Sequence, residues 1–328
     1  MSQAQTLAKP AAGIESIRRS WTVSAPDRAF RGLMVLCALS LMAIVALIVV
    51  ELIVHSTLSL HQFGLKFFFQ NVWDPVGGDF GALPFVYGTL VSSFLAVLLA
   101  VPLGVGVAVF LTEMCPKPLR APLAFMVELL AAIPSVIYGM WAIFVLAPLL
   151  RKYIEPPLGK YLGWTGLFTG PQFGLGMMAA GVILAIMIVP IISSITREVI
   201  LAVPQNQREA VLALGATRWE MIKMGVLRNA RVGIIGGIIL ALGRALGETM
   251  AVTMVIGNTP QISKSLFASG YTMASVIANE FSEATGDLYV SALIEIGLAL
   301  FIVTLIVNIL AQLLVWSTTR GIPSRANG

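Results

Sequence analysis

Five charged residues, Glu51, Glu128, Arg244, Glu248 and Glu295, fall inside long apolar stretches of a 328-residue chain that is 58% hydrophobic and only 11% charged. An Arg or acidic side chain at the centre of a bilayer costs about 2.5–3.5 kcal/mol on insertion scales, so each needs a partner, a water-filled cavity or a task. Glu51 and Glu295 stand near the ends of their stretches and are expected to reach water. Arg244 and Glu248 differ, because they lie four residues apart near the middle of the fifth stretch and share one helix face. As an internal ion pair they cancel each other's cost and fix the orientation of the helix. As a functional pair, Arg244 offers its planar donor fork to an oxyanion, while Glu248 holds the guanidinium and keeps the anion from being trapped. Both readings hold if the pair opens when an anion arrives.

Covalent chemistry finds little support in the sequence. The phosphate-cradling pattern G-x-x-x-x-G-K-[ST] is absent, and the only Gly-Lys, Gly159–Lys160, lacks the first Gly and precedes Tyr161. Any ATP hydrolysis therefore belongs to another polypeptide, and the chain itself is expected to be no enzyme, with no catalytic residues. His55 and His61 lie outside the apolar stretches, so a membrane-embedded hydrolase would lack a nucleophile with its base or a ligand cluster. No metal and no cofactor are expected. Cys37 and Cys115 suggest neither a disulfide nor a metal site.

The elements that must position the charged pair are membrane helices. Each apolar stretch exceeds the roughly 20 residues a helix needs to cross about 30 Å of hydrocarbon, whereas a membrane strand needs only about 9–11. The expected fold is an all-α membrane protein with six spans: Leu33–Val54, Ala82–Leu111, Leu123–Leu150, Gly174–Thr196, Val232–Gly257 and Tyr289–Trp316. Lys and Arg concentrate on the cytoplasmic side of short connecting segments. With both termini inside, the inner segments hold 15 of the 21 and the outer segments 5, the last being Arg244. The map is a cytoplasmic tail at 1–32, a first span at 33–54, a periplasmic loop at 55–81, a core at 82–316 and a cytoplasmic tail at 317–328. The formal net charge of +5 reflects this topology in lipid and does not point to nucleic acid. Outer text such as "FFFQNVWDPVGGDFG" is expected to make compact loops with Trp and Phe at the membrane interface. Pro134 reads as a kink within the third span.

The longest internal cytoplasmic segment, 197–231, reads "REVILAVPQNQREAVLALGATRWEMIKMGVLRNAR". Pro204 marks a helix start, Gln205–Leu214 can be helical, and Gly215 is placed to take the left-handed conformation that ends a helix. Thr217 and Glu220 form a T-x-x-E capping box that starts the next helix. A rigid helical corner joined directly to two spans can pass on a rigid-body motion.

Within that corner, Glu209, Ala210 and Gly215 resemble the Glu-Ala-Ala loop of membrane subunits of ATP-binding-cassette importers, with Val211 at the third position and Arg228 after Leu227 where the family has Pro. The stretches "GRALGETMAVTMVIGNT" (Gly243–Thr259), "ELLAAIPSVIYGMWAIFVLAPL" (Glu128–Leu149), "GPQFGLGMMAAGVILAIMIVPII" (Gly170–Ile192) and "ANEFSEA" (Ala278–Ala284) resemble the PstC family, the membrane subunits of bacterial high-affinity phosphate importers. The resemblance implies the fold of a type I importer permease in the bacterial inner membrane, with a cytoplasmic coupling helix. It further implies a homologous permease partner, PstA, two copies of the ATPase PstB, and the periplasmic phosphate-binding protein PstS. By the same resemblance, Arg244 and Glu248 serve phosphate passage, while Glu209, Ala210 and Gly215 meet the ATPase. The alternative is a secondary, ion-coupled anion transporter with Glu128 and Glu248 as proton carriers, for which internal repeats are expected. No convincing repeat between the halves is found.

Overall fold

The computed structural model describes residues 25–319. Most of the expected tail at 1–32 and most of that at 317–328 lie outside the described residues. Among the described residues the chain is helical, with one isolated antiparallel bridge between Asp74 and Asp79. Six helices are long and apolar enough to cross a membrane, as expected.

Contacts divide the chain into two units at Glu51 and Leu52. The first holds most of α1 (Ala25–His55), an apolar helix whose described side chains are largely exposed, as a helix in hydrocarbon requires. Its start at Ala25 makes the last part of the expected tail helical.

The second unit contains α2 (Thr57–Phe63), α3 (Leu83–Met114), α4 (Lys117–Ala132), α5 (Ser135–Thr165), α6 (Met177–Leu201), α7 (Gln205–Ala213), α8 (Arg218–Leu246), α9 (Met250–Thr253), α10 (Met273–Glu280) and α11 (Asp287–Thr319). At its centre α6 packs against α3 and α8 through Ile183, Ile188 and Ile192 on one side and Ala96, Ala100 and Ala241 on the other. Small residues are what such packing demands, because lipid gives no hydrophobic drive and contact must come from close approach. Gly104 stands under the Ile192 side chain, where an added Cβ would come within 2.9 Å.

Two expected spans are corrected. The third, Leu123–Leu150, is not one helix: α4 stops at Ala132, Ile133 is extended, and α5 begins afresh at Ser135. Pro134 lacks an amide hydrogen and pushes the residue before it out of the α region, so the proline breaks the helix rather than bending it. Tyr138 Oη donates to the Leu130 carbonyl at 2.7 Å, satisfying an acceptor the break leaves open. The fifth, Val232–Gly257, starts earlier and ends sooner, since α8 begins at Arg218, passes through a π-helical stretch and stops at Leu246.

The expected loop at 55–81 is also more structured than anticipated. Phe67 and Phe80 are buried, and Trp73 meets Phe80 and Phe85 edge to face, so these rings form a core rather than an interfacial belt. Glu280 ties the cluster together, accepting from Trp73 Nε1 at 2.9 Å and Tyr289 Oη at 2.7 Å. Burial pushes the nearby Tyr271 phenol above its usual range, while its oxygen accepts from Asn279 Nδ2 at 2.9 Å. Because α2 folds over the start of α11, with Ser59 N–H donating to Ser291 Oγ, Glu295 is fully buried and does not reach water as expected.

Candidate functional site

Arg244 occupies the last turn of α8, where unsatisfied carbonyls favour a cation. Glu248 follows the helix end at Gly247, so the pair flanks a break instead of lying mid-helix. The two side chains are unequal in surroundings: Arg244 is 55% exposed and Glu248 5%, with Nη2 and Oε2 at 3.7 Å. That separation is an ion pair too long for a hydrogen bond, which leaves the guanidinium donors available. Glu248 Oε1 also accepts from Ala251 N–H, at 3.5 Å, at the start of α9. The buried carboxylate thus has a long backbone contact besides the ion pair, while the guanidinium is more than half exposed.

Arg244 lines a groove of about 660 Å³ together with Gly236 and Gly243 of α8 and Ile191 of α6. Across it stand Asn308 and Gln312, four apart on α11, which the sequence reading passed over. Their signal in the sequence is two carboxamides at helical spacing in the apolar run "LIVNILAQLLVW", which charge alone does not reveal. The arrangement presents one cation with neutral amide donors beside it, a set suited to an oxyanion.

Glu209, Ala210 and Gly215 gather at a second place, the exposed corner between α7 and α8. Gly215 has φ +82°, the left-handed conformation expected of it. The capping box is complete, with Thr217 N–H donating to Glu220 Oε2 at 2.8 Å and Glu220 N–H donating to Thr217 Oγ1 at 3.3 Å. Val211 at the third motif position has a partner: its Cγ2 would lie 3.3 Å from a Cβ on Gly225, so α7 lies close on the π-helical start of α8. Leu214 and Trp219 remain exposed at the corner. The two sites stand at opposite ends of α8, which at 29 residues spans roughly 40 Å at 1.5 Å per residue. Glu128 is on α4 and pairs with Arg197 of α6.

Residues 81–319 match the family described as binding-protein-dependent transport system inner membrane component. A phosphate transport system permease protein PstC of Mesorhizobium japonicum is 49% identical over 81% of this chain and 82% of its own. The protein of that name in Haemophilus influenzae is 44% identical over 87% of this chain and 92% of its own. In Methanocaldococcus jannaschii, a probable phosphate transport system permease protein PstC is 39% identical over 77% and 82%. Two solved structures share the fold at 18% identity. One is a chain of the inward-facing MetNI methionine ABC transporter, with a TM-score of 0.53 over 72% of this chain and 95% of that one. The other belongs to a bacterial ABC transporter for the acidic polysaccharide alginate, with a TM-score of 0.54 over 89% of this chain and 100% of that one.

Proposed function

Because this chain belongs to the binding-protein-dependent transport system inner membrane components, we propose that it forms half of the translocation pathway for ATP-driven import of inorganic phosphate. It is a multi-pass inner-membrane protein with the fold of a type I ABC importer permease. The substrate reading is supported by the relatives' names and carried by one observation, the exposed Arg244 guanidinium held loosely by buried Glu248 in a groove that also presents Asn308 and Gln312.

Both termini face the cytoplasm in this reading, an orientation supported by the excess of Lys and Arg in the segments so assigned. Residues 55–81 are then periplasmic, and the corner carrying Glu209, Ala210 and Gly215 faces inward to meet the ATPase. The exposed Leu214 and Trp219 at that corner suit a groove on another protein. The partners are a homologous permease of the PstA kind, two copies of an ATPase of the PstB kind, and a periplasmic phosphate-binding protein of the PstS kind. ATP binding draws the two coupling corners together and turns the cavity outward to receive phosphate, and hydrolysis resets it inward. Arg244 contributes only if its contact with the anion differs between the two states.

Reconstitution with these partners in vesicles tests the reading. The expected result is ATP-dependent uptake of labelled phosphate that excess sulfate or molybdate does not suppress. Equal competition by those anions, or uptake that follows an ion gradient in the absence of ATP, would overturn it.

A further inference from the structure

We infer that Arg208 and Glu113 form a positioning tie that fastens the coupling helix α7 to α3 and to the end of α6, so that movement of the helix reaches three spans together. This deepens the reading of α7 as the ATPase contact and rests on it. By chain connectivity α7 is joined to α6 and α8 alone. The Arg208 side chain extends that attachment. Its Nη2 donates to Glu113 Oε1 at the end of α3 at 3.0 Å and to the Ile200 carbonyl in the last turn of α6 at 2.9 Å. Its Nη1 approaches Gln205 Oε1 at 3.4 Å.

The burial of the pair argues that it is more than a surface contact. Side-chain exposure is 16% for Arg208 and 11% for Glu113. Exposed ion pairs contribute little, whereas a shielded pair loses strongly when either partner is removed, because the other charge is stranded. The Ile200 carbonyl is among the last of α6 and already accepts from Val203 N–H at 3.2 Å, so the guanidinium adds a second, charged contact at that helix end. A lysine ammonium is a strongly hydrated point charge, whereas the guanidinium sets Nη2 on Glu113 and the Ile200 carbonyl while Nη1 reaches Gln205.

Arg208 and Val211, three residues apart, define the face of α7 turned to the body of the protein, Val211 meeting Gly225. Glu209, Ala210 and Ala213 remain exposed. One helix therefore has a gripped face and an open face, as a transmitting element needs. Without the tie, α7 would still bind a motor but could rock on Val211 without moving α3.

The test uses the reconstituted complex and reads phosphate taken up per ATP hydrolysed, which is independent of how much complex assembles. R208M and E113L should each keep the ATPase bound and hydrolysing while the uptake ratio falls about tenfold, and the double variant should do no worse than either single, as residues acting through one contact do. R208K should recover part of the ratio. Unchanged ratios in the single variants, or losses that multiply in the double, would overturn the tie. Loss of the ATPase itself from R208M would also overturn it, by showing that Arg208 touches the motor. If R208M does not insert into the membrane, E113L and E113Q carry the same comparison. Gly215→Trp separates this inference from the reading beneath it. If G215W keeps its ATPase and its transport, the coupling corner is wrong. If G215W loses the ATPase while R208M and E113L keep full ratios, only the tie is wrong.

Discussion

Two of the Arg–Glu pairs among the described residues have the same chemistry and opposite construction. Arg208 and Glu113 are both largely shielded and meet at 3.0 Å, whereas Arg244 is more than half exposed and stands 3.7 Å from a buried Glu248. The first pair joins elements far apart in sequence, and the second joins neighbours across a helix break. A tight shielded pair resists opening and suits a fixed joint. A loose pair with one free member keeps its cation ready for a competing anion. Burial and distance, rather than residue type, separate the two roles.

The comparison breaks most readily at Arg244. Replacing it with Gln should leave membrane insertion and ATPase binding intact yet lower phosphate uptake by about a hundredfold or more, because the single cation in the groove supplies the charge-assisted contacts. Uptake of R244Q near that of the unaltered protein would reduce the loose pair to a structural one. Gly215→Trp should cost nearly as much by another route, since φ +82° strains any L side chain and the corner would reshape. Co-purification of the ATPase subunit separates the two losses, being kept in R244Q and reduced in G215W.

Glu248→Gln sharpens the comparison further. On the proposed reading the carboxylate holds Arg244 near the groove and competes with a bound anion, so its removal should strengthen phosphate retention while slowing release. The expected outcome is a fall of about tenfold in maximal uptake with a lower half-saturation concentration, the pattern of a ground state bound too well. A higher half-saturation concentration would mean that Glu248 serves to aim the guanidinium and does not compete with the anion.

What the sequence disclosed follows the range of the interactions. The corner between α7 and α8 was legible because Pro204, Gly215 and the Thr217–Glu220 box act over a few residues. The third and fifth spans were misread because hydropathy counts side chains and is blind to whether the backbone continues. The extended Ile133 before Pro134 and the helix end at Gly247 are backbone events. Glu295 looked wet from its place near a helix end, yet α2 covers it, a fact set by the fold and not by position. Arg208 and Glu113 are 95 residues apart, and no local pattern links them.

Asn308 and Gln312 offer the smallest expected effect and the finest test of what makes the loose pair loose. Neither carries charge, so neither can hold an oxyanion alone. Each can add neutral donors beside Arg244 in the groove. Asn308→Leu and Gln312→Leu keep approximate size and remove donors, and each should lower uptake by about two- to fivefold, in line with one lost hydrogen bond. The loss should appear in the half-saturation concentration and in discrimination against sulfate, with ATP hydrolysis unchanged. If both variants transport and discriminate as the unaltered protein does, Arg244 acts alone in this half of the pathway, and the remaining donors must come from the partner permease.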